Sequence, residues 1–364
     1  MFICMPAHES KACSAFLLKG DDFQVIGFNE NWSYMPGMVL VNKRGVTKYN
    51  LGWADMVAAQ PTDPAMKWTS KYGSVTFNLV GVDLPCYGMN ERGLFVVELF
   101  LDKTYSEPDD AKPHMFWVQW IQYLLDNCAT TDEVLSHLPN APVLDWWPRF
   151  PGSHFFVADS NGHTAAIEII DGKMTVSAGD KMPVPILCNG RYQQELAALN
   201  QYRAFDGDRD IDYDVPAMRN RFARIAHRLK EYRAQQTPTE FAWRLLDEVN
   251  PGVWQLVVDS RRRTLYFRTT ACKNIKSINL DQCDFSVETP IDFIDIHANF
   301  EGDVVPHLAP WSPEINQAYV LTGYPAGYGD KHFYQSDDFR NVQKNLLRYS
   351  AQLQRQTERP ANSK

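Results

Sequence analysis

Cys13 follows Ser10-Lys11-Ala12, which places small residues three and one before it, the pattern that signal peptidase reads. Cleavage there leaves Cys13 first in the chain. A terminal cysteine joins nucleophile and base in one residue, because its free α-amine, with a pKa of about 8, can take the thiol proton at working pH. Such a thiolate attacks an amide carbonyl, N–H donors hold the oxyanion, and water then hydrolyses the thioester. Residues 1–12 are therefore expected to be a leader or signal-peptide remnant that is removed, and 13–364 a single catalytic domain. Met1 to Met5 is too short for a complete apolar region, and no basic segment precedes it. Two origins fit: a signal peptide that begins further upstream, giving a periplasmic or secreted protein, or a short cytoplasmic leader removed autocatalytically.

Other chemistry-bearing residues have plainer readings. Asp206-Gly207-Asp208-Arg209-Asp210 through Asp214 is acidic, but it lacks the glycine position, final glutamate and flanking helices of a calcium-binding loop. It reads as a solvated loop. His154 and His163 lie on or beside a hairpin without ligand-like spacing, so structural roles are expected and no metal site is assigned. Seven cysteines without a C-x-x-C spacing give neither a disulfide framework nor a zinc site. Cys86, Cys128, Cys188, Cys272 and Cys283 are expected to pack as small buried apolar residues. Glu98 stands on an otherwise apolar strand and needs a partner if it is buried. It is either structural or in contact with substrate.

The surrounding composition sets the class of partner. A formal charge of -8 with no long Lys/Arg run disfavours nucleic acid and anionic membranes, both of which need a basic face. Arg261-Arg262-Arg263 sits between two strand-like runs and reads as a turn. No stretch approaches the roughly twenty apolar residues of a membrane helix, so no membrane insertion is expected. Hydrophobic residues at 45% and aromatic residues at 13% describe a globular chain with a large core.

The elements that must carry these residues can be read in outline. Ser14 to Lys19 and Phe23 to Phe28 form strands around the turn-rich Gly20-Asp21-Asp22. Met38 to Val41, Ser74 to Val80 and Leu94 to Leu101 continue as strands, the last two apolar enough to be covered on both faces. Pro113 is expected to open a long helix, with Trp117, Ile121, Leu124, Leu125 and Cys128 on one face. Thr130 and Glu133 cap the next helix. His154 to Asp159 and Thr164 to Ile170 form a hairpin about Asn161-Gly162. Val184 to Cys188 reads as a strand ending at Asn189. Gln193 to Tyr202, Arg219 to Tyr232 and the segment after Thr237-Pro238-Thr239-Glu240 read as helices, and Val253 to Asp259 with Thr264 to Thr269 as a second hairpin. The order is strands, helices, strands, helices, strands, without βαβ alternation or repeat. It predicts an α+β fold, a four-layer αββα sandwich of two mainly antiparallel sheets.

Several runs carry a family likeness: Cys13-Ser14-Ala15-Phe16 leading to Gly27-Phe28-Asn29-Glu30-Asn31-Trp32; Lys67-Trp68-Thr69-Ser70-Lys71-Tyr72-Gly73-Ser74-Val75; and Gly88-Met89-Asn90-Glu91-Arg92-Gly93-Leu94. The helix with Trp120 to Asn127, Cys188-Asn189, Leu199-Asn200-Gln201-Tyr202 and Arg221-Phe222-Ala223-Arg224 follow in order. Together they resemble the choloylglycine hydrolase and penicillin V acylase family. The resemblance implies the N-terminal-nucleophile hydrolase fold and cofactor-free hydrolysis of a linear, non-peptide C–N amide. Penicillin V, conjugated bile salts and N-acyl homoserine lactones are the substrate types. A homo-oligomer is implied by analogy.

By the same resemblance Cys13 is the nucleophile, Asn189 the side-chain oxyanion donor and Arg221 the buried arginine that favours a thiolate. Phe28 and Asn31 stand where the family carries an arginine and an aspartate. Asn31 can still accept a hydrogen bond from the nucleophile's amine through its amide oxygen, whereas Phe28 offers only an apolar wall for an acyl chain. Phe100 falls where a backbone N–H completes the oxyanion hole. The two departures leave an alternative, a catalytically impaired member of the fold that binds a ligand or partner. A lipid-attached Cys13 is a further alternative, weakened by Ser10 where leucine would be preferred.

Overall fold

The computed structural model describes residues 13–357 apart from 32–35, 108, 110, 147–151, 214–219, 250 and 329–330. The expected leader, and Trp32 of the family-like run, lie outside the described residues.

Strands Ser14–Lys19 and Gln24–Glu30 form a hairpin whose register pairs Ser14 with Asn29 and Lys19 with Gln24. Gly27 lets the strands approach: a Cβ there would lie 2.2 Å from the ring of Phe16. The hairpin forms the second and third strands of a seven-stranded sheet that runs Ile186–Leu187, Ser14–Lys19, Gln24–Glu30, Trp254–Asp259, Thr264–Thr269, Lys276–Asn279, Gly302–Asp303. A nine-stranded sheet faces it, in the order Lys173–Ala178, Thr164–Ile170, Ser153–Ala158, Phe95–Phe100, Pro85–Asn90, Ser74–Asn78, Met38–Asn42, Asp292–Asp295, Ala309–Pro310. Pairing is antiparallel except between Lys276–Asn279 and Gly302–Asp303 in the first sheet.

Rings from both sheets meet in the middle. Phe28 lies edge-on to Tyr87 with centroids 4.9 Å apart, Phe77 meets Phe267 at 5.2 Å, and Tyr87 meets Trp254 at 6.2 Å. Helix Trp117–Asn127 covers the outer face of the nine-stranded sheet, and helices Arg221–Glu231 and Pro238–Glu248 cover the seven-stranded one. The fold is the expected αββα sandwich.

The long helix starts later than Pro113 suggests. His114–Phe116 is a short strand parallel to Val143–Asp145, held by the His114 Nδ1 to Asp145 contact of 2.8 Å and by Phe116 N–H donating to Leu51 O at 2.7 Å. Tertiary pairing overrides the proline signal, and the helix begins at Trp117. Val184 to Cys188 shortens to a two-residue strand, Ile186–Leu187, because Ala15 and Phe16 alone pair with it. Thr130 does accept from Glu133 N–H, but the Glu133 carboxylate turns to Ala129 N–H at 2.7 Å instead of closing the box. Cys86, Cys128, Cys188 and Cys272 are buried free thiols, as expected, while Cys283 is half-buried.

Helices Pro313–Tyr328, Lys331–Tyr334 and Asp337–Thr357 follow the sheets. Phe339, Val342, Leu346, Tyr349 and Leu353 recur at helical spacing and are buried. Asn345 Nδ2 donates to the carbonyls of Asp55, Met56 and Ala58 at 3.1, 3.0 and 2.9 Å. Nearby, buried Lys48 Nζ sits 2.9 Å from Asp83 Oδ1 and 3.0 Å from Asp126 Oδ2, while Tyr349 Oη donates to Asp83 Oδ2 at 2.8 Å. Burial pushes Asp126 up to about 6, against the pull of Lys48. Lys48→Met should leave two buried acids without their cation and lower unfolding free energy by about 3–5 kcal/mol, read by urea denaturation at pH 7.

Candidate active site

The hairpin register carries Cys13 to the end of the first strand, opposite Glu30, and strand alternation turns residues 13, 15, 28 and 30 to the same face, toward the nine-stranded sheet. The Cys13 thiol is buried and donates to Glu30 Oε1 at 3.5 Å. The backbone N–H groups of Asn31 and Phe100 also bond the sulfur. Desolvation pushes the thiol well above the usual range, and the Glu30 carboxylate adds to this; the Asn31 N–H, the Arg221 charge and the Phe100 N–H pull the other way.

Arg221 enters from the start of its helix, on the other side of the strand. Its Nη1 bonds the Cys13 carbonyl oxygen and Ser14 Oγ, the latter at 2.7 Å, and its Nη2 donates to Asn189 Oδ1 at 2.9 Å. A guanidinium only donates, so Asn189 must present its oxygen to Arg221 and turn its NH2 away. That NH2 donates to Phe100 O at 2.6 Å. One chain of bonds thus runs from Cys13 through Arg221 and Asn189 to the end of strand Phe95–Phe100. Burial raises Glu195 to about 7, and the Arg221 charge opposes that rise.

The structure therefore gathers Cys13, Asn189, Arg221, Phe100 and the backbone of Asn31 at one point. The expected contact between the Asn31 side chain and a freed amine concerns the junction with residues 1–12, outside the described residues. Phe28 has no exposed surface, and its ring packs on Tyr87 as an inter-sheet core contact. Glu30 and Ser14 were not singled out in the sequence. Alternation along Gln24–Glu30 was the available signal for Glu30, since a carboxylate on the same strand face as Ile26 and Phe28 must point into the sandwich.

Glu98 takes a structural place. Its Oε2 accepts from Trp117 Nε1 at 2.5 Å and Ser153 Oγ at 2.6 Å, on the helix-covered side of the sheet. His154 Nδ1 lies 3.1 Å from Glu168 Oε1, both buried. Among the described residues no group of three or more His, Cys, Asp or Glu is placed to hold a metal ion, and no helix is long and apolar enough to cross a membrane. Concavities of about 320 Å³ beside Leu138–Leu144 and about 270 Å³ beside Arg348 lie away from Cys13.

The family model of the linear amide C-N hydrolases, choloylglycine hydrolase family, matches residues 43–215. Over 151 residues the chain is 31% identical to a penicillin V acylase of Pectobacterium atrosepticum, a stretch that spans 38% of this chain and 40% of that relative's length. A penicillin V acylase from Agrobacterium tumefaciens superposes with a TM-score of 0.69 at 22% identity, over 83% of this chain and 98% of that one. A conjugated bile acid hydrolase from Clostridium perfringens gives 0.61 at 16% identity, over 82% and 96%.

Two facing sheets between helix layers, shared with these structures, define the N-terminal-nucleophile hydrolase fold. Over residues 43–215 the chain is similar to the linear amide C-N hydrolases of the choloylglycine hydrolase family, and the fold match extends well beyond that segment. Cys13 and Arg221 lie outside the sequence match.

Burial raises Glu98 from the usual carboxylate range to about 7. The folded state therefore binds this proton more tightly than the unfolded chain, and stability from it is present below about pH 4.5 and lost as pH rises through about 7. Glu98→Gln should flatten the fall in melting temperature between pH 5 and pH 8 relative to wild type, measured by scanning calorimetry.

Proposed function

We propose that this protein hydrolyses a linear non-peptide amide, using Cys13 as nucleophile after removal of residues 1–12. The observation that carries the reading is the bond chain Cys13–Arg221–Asn189–Phe100, which collects from four separate segments the groups an acyl transfer needs. Sulfur attacks the carbonyl carbon. On this reading the second N–H of Asn189 Nδ2 and the Phe100 N–H are the donors assigned to the developing oxyanion, where each preorganised donor is worth about 2.7–4 kcal/mol in comparable sites. Arg221 holds the Cys13 carbonyl and the Asn189 oxygen, so it orders both ends of the site without touching substrate. Expulsion of the amine leaves a thioester, which water hydrolyses. No cofactor enters this scheme.

The substrate types we propose are those of the family resemblance: penicillin V, conjugated bile salts and N-acyl homoserine lactones. Export to the periplasm or outside the cell fits the Ser10-Lys11-Ala12 pattern, and a homo-oligomer is proposed by analogy with the family. Nucleic acid is not a proposed partner, given the formal charge of -8.

The test compares processed wild type with Cys13→Ala on penicillin V and N-acyl homoserine lactones. The expected outcome is turnover by wild type and a loss of at least about a thousandfold in kcat for the variant, the scale on which losing a nucleophile acts. Equal, negligible turnover by both would favour the impaired, ligand-binding alternative for these substrates.

A further inference from the structure

Asn189 lies on a short segment between two fixed points. Before it, Leu187 pairs with Ala15 in the seven-stranded sheet, two positions from Cys13. After it, Tyr192 opens helix Tyr192–Ala198, and the first N–H groups of a helix have no acceptor within it. Arg191, the residue before that helix, supplies no side-chain cap. The acceptor comes from the other sheet: Glu168 takes the Tyr192 N–H on both carboxylate oxygens, at 3.1 and 3.3 Å. His154 Nδ1 lies 3.1 Å from Glu168 Oε1, and because a carboxylate oxygen accepts, the ring proton of that bond sits on Nδ1. Glu168, His154 and Tyr192 are all buried. In the register of the nine-stranded sheet His154 stands opposite Leu99, one residue before Phe100.

The segment that carries Asn189 is thus tied to the nine-stranded sheet twice, by Asn189 Nδ2 on Phe100 O and by the Tyr192 N–H on Glu168. Its start belongs to the sheet that carries Cys13. Gly190, which adds no side chain to stiffen the backbone, stands between the two ties. We propose that Glu168 is a positioning residue for Asn189: by anchoring Tyr192 it sets where the Asn189 amide stands between the Phe100 N–H of one sheet and the sulfur of the other. The proposal deepens the amide hydrolysis argued above and rests on its assignment of Cys13 as nucleophile and Asn189 as oxyanion donor. Tyr192 extends the same constraint to the arginine. Its ring lies edge-on to Phe222, the residue after Arg221, with centroids 5.9 Å apart, and its Oη donates to Val184 O at 2.9 Å. Without the carboxylate the Tyr192 N–H and the His154 ring lose their acceptor and the segment is held at one end only. A displacement of about 1 Å at a reacting centre costs up to about a hundredfold in rate.

A double-mutant cycle with the processed full-length protein on penicillin V separates positioning from general support of the fold. Glu168→Gln keeps the side-chain volume but gives up the charge that strengthens both bonds. Its kcat should fall about 10–100-fold, with KM changed by less than about threefold. In an Asn189→Ala background, itself down by about 10²–10³-fold in kcat, the same change should cost less than about threefold, because the group it positions is gone. Iodoacetamide should label Cys13 of Glu168→Gln at the wild-type rate, since the oxyanion donor is displaced and the thiol is not. His154→Leu leaves the Tyr192 bond but removes the ring that aims the carboxylate. It should lose about three- to tenfold in kcat with the same non-additivity, and it carries the test if Glu168→Gln does not fold. Equal losses in the two backgrounds, an unchanged kcat in both single variants, or slowed labelling of Cys13 would overturn the proposal. Wild-type turnover by Asn189→Ala or by Cys13→Ala would instead overturn the reading beneath it.

Discussion

The guanidinium of Arg221 is the contact on which the site's geometry depends. It bonds the Cys13 carbonyl, the Ser14 hydroxyl and the Asn189 oxygen, groups that are neighbours in space but separated by up to 208 positions in sequence. A buried cation without such partners would be costly, because its desolvation must be offset by well-placed acceptors. With three acceptors in place, the cost becomes a constraint: the first strand, the segment after Ile186–Leu187 and the start of helix Arg221–Glu231 can meet in only one way. A lysine could not make the same set, since its single ammonium lacks the planar fork.

The sandwich supplies the other half of the constraint. Phe28 on Tyr87, Tyr87 on Trp254 and Phe77 on Phe267 fix the spacing of the sheets. That spacing brings the Phe100 N–H of one sheet to the sulfur carried by the other. Phe28 therefore serves the site from the core side. An arginine there would have had to find acceptors among rings, so the apolar choice at 28 and the carboxylate at 30 are consistent with one another.

Much of this was legible in the sequence. The hairpins read from Ser14 to Phe28 and from Val253 to Thr269 pair as expected, because alternation and turn residues are local signals. Cys13, Asn189 and Arg221 were recognisable by family resemblance, and they converge. Glu30 was passed over because a glutamate near a strand end usually faces water; only the register with residue 13 shows otherwise. The strand His114–Phe116 was read as helix because its parallel partner, Val143–Asp145, lies about thirty residues away and leaves no local trace. The helix Asp337–Thr357 did have a signal in Phe339, Val342, Leu346, Tyr349 and Leu353, but its docking depends on Asn345 reaching the carbonyls of Asp55, Met56 and Ala58 at the end of Trp53–Val57, which no pattern shows.

The central claim is that acyl transfer passes through the sulfur of Cys13. Acid-quenched mass spectrometry of the protein during turnover of penicillin V, with peptide mapping, reads this directly. The account predicts a chain beginning at Cys13 that carries one phenoxyacetyl group on that residue, lost on alkaline treatment as a thioester should be. Steady turnover with Cys13 unmodified throughout, or with the acyl group on another residue, would contradict it.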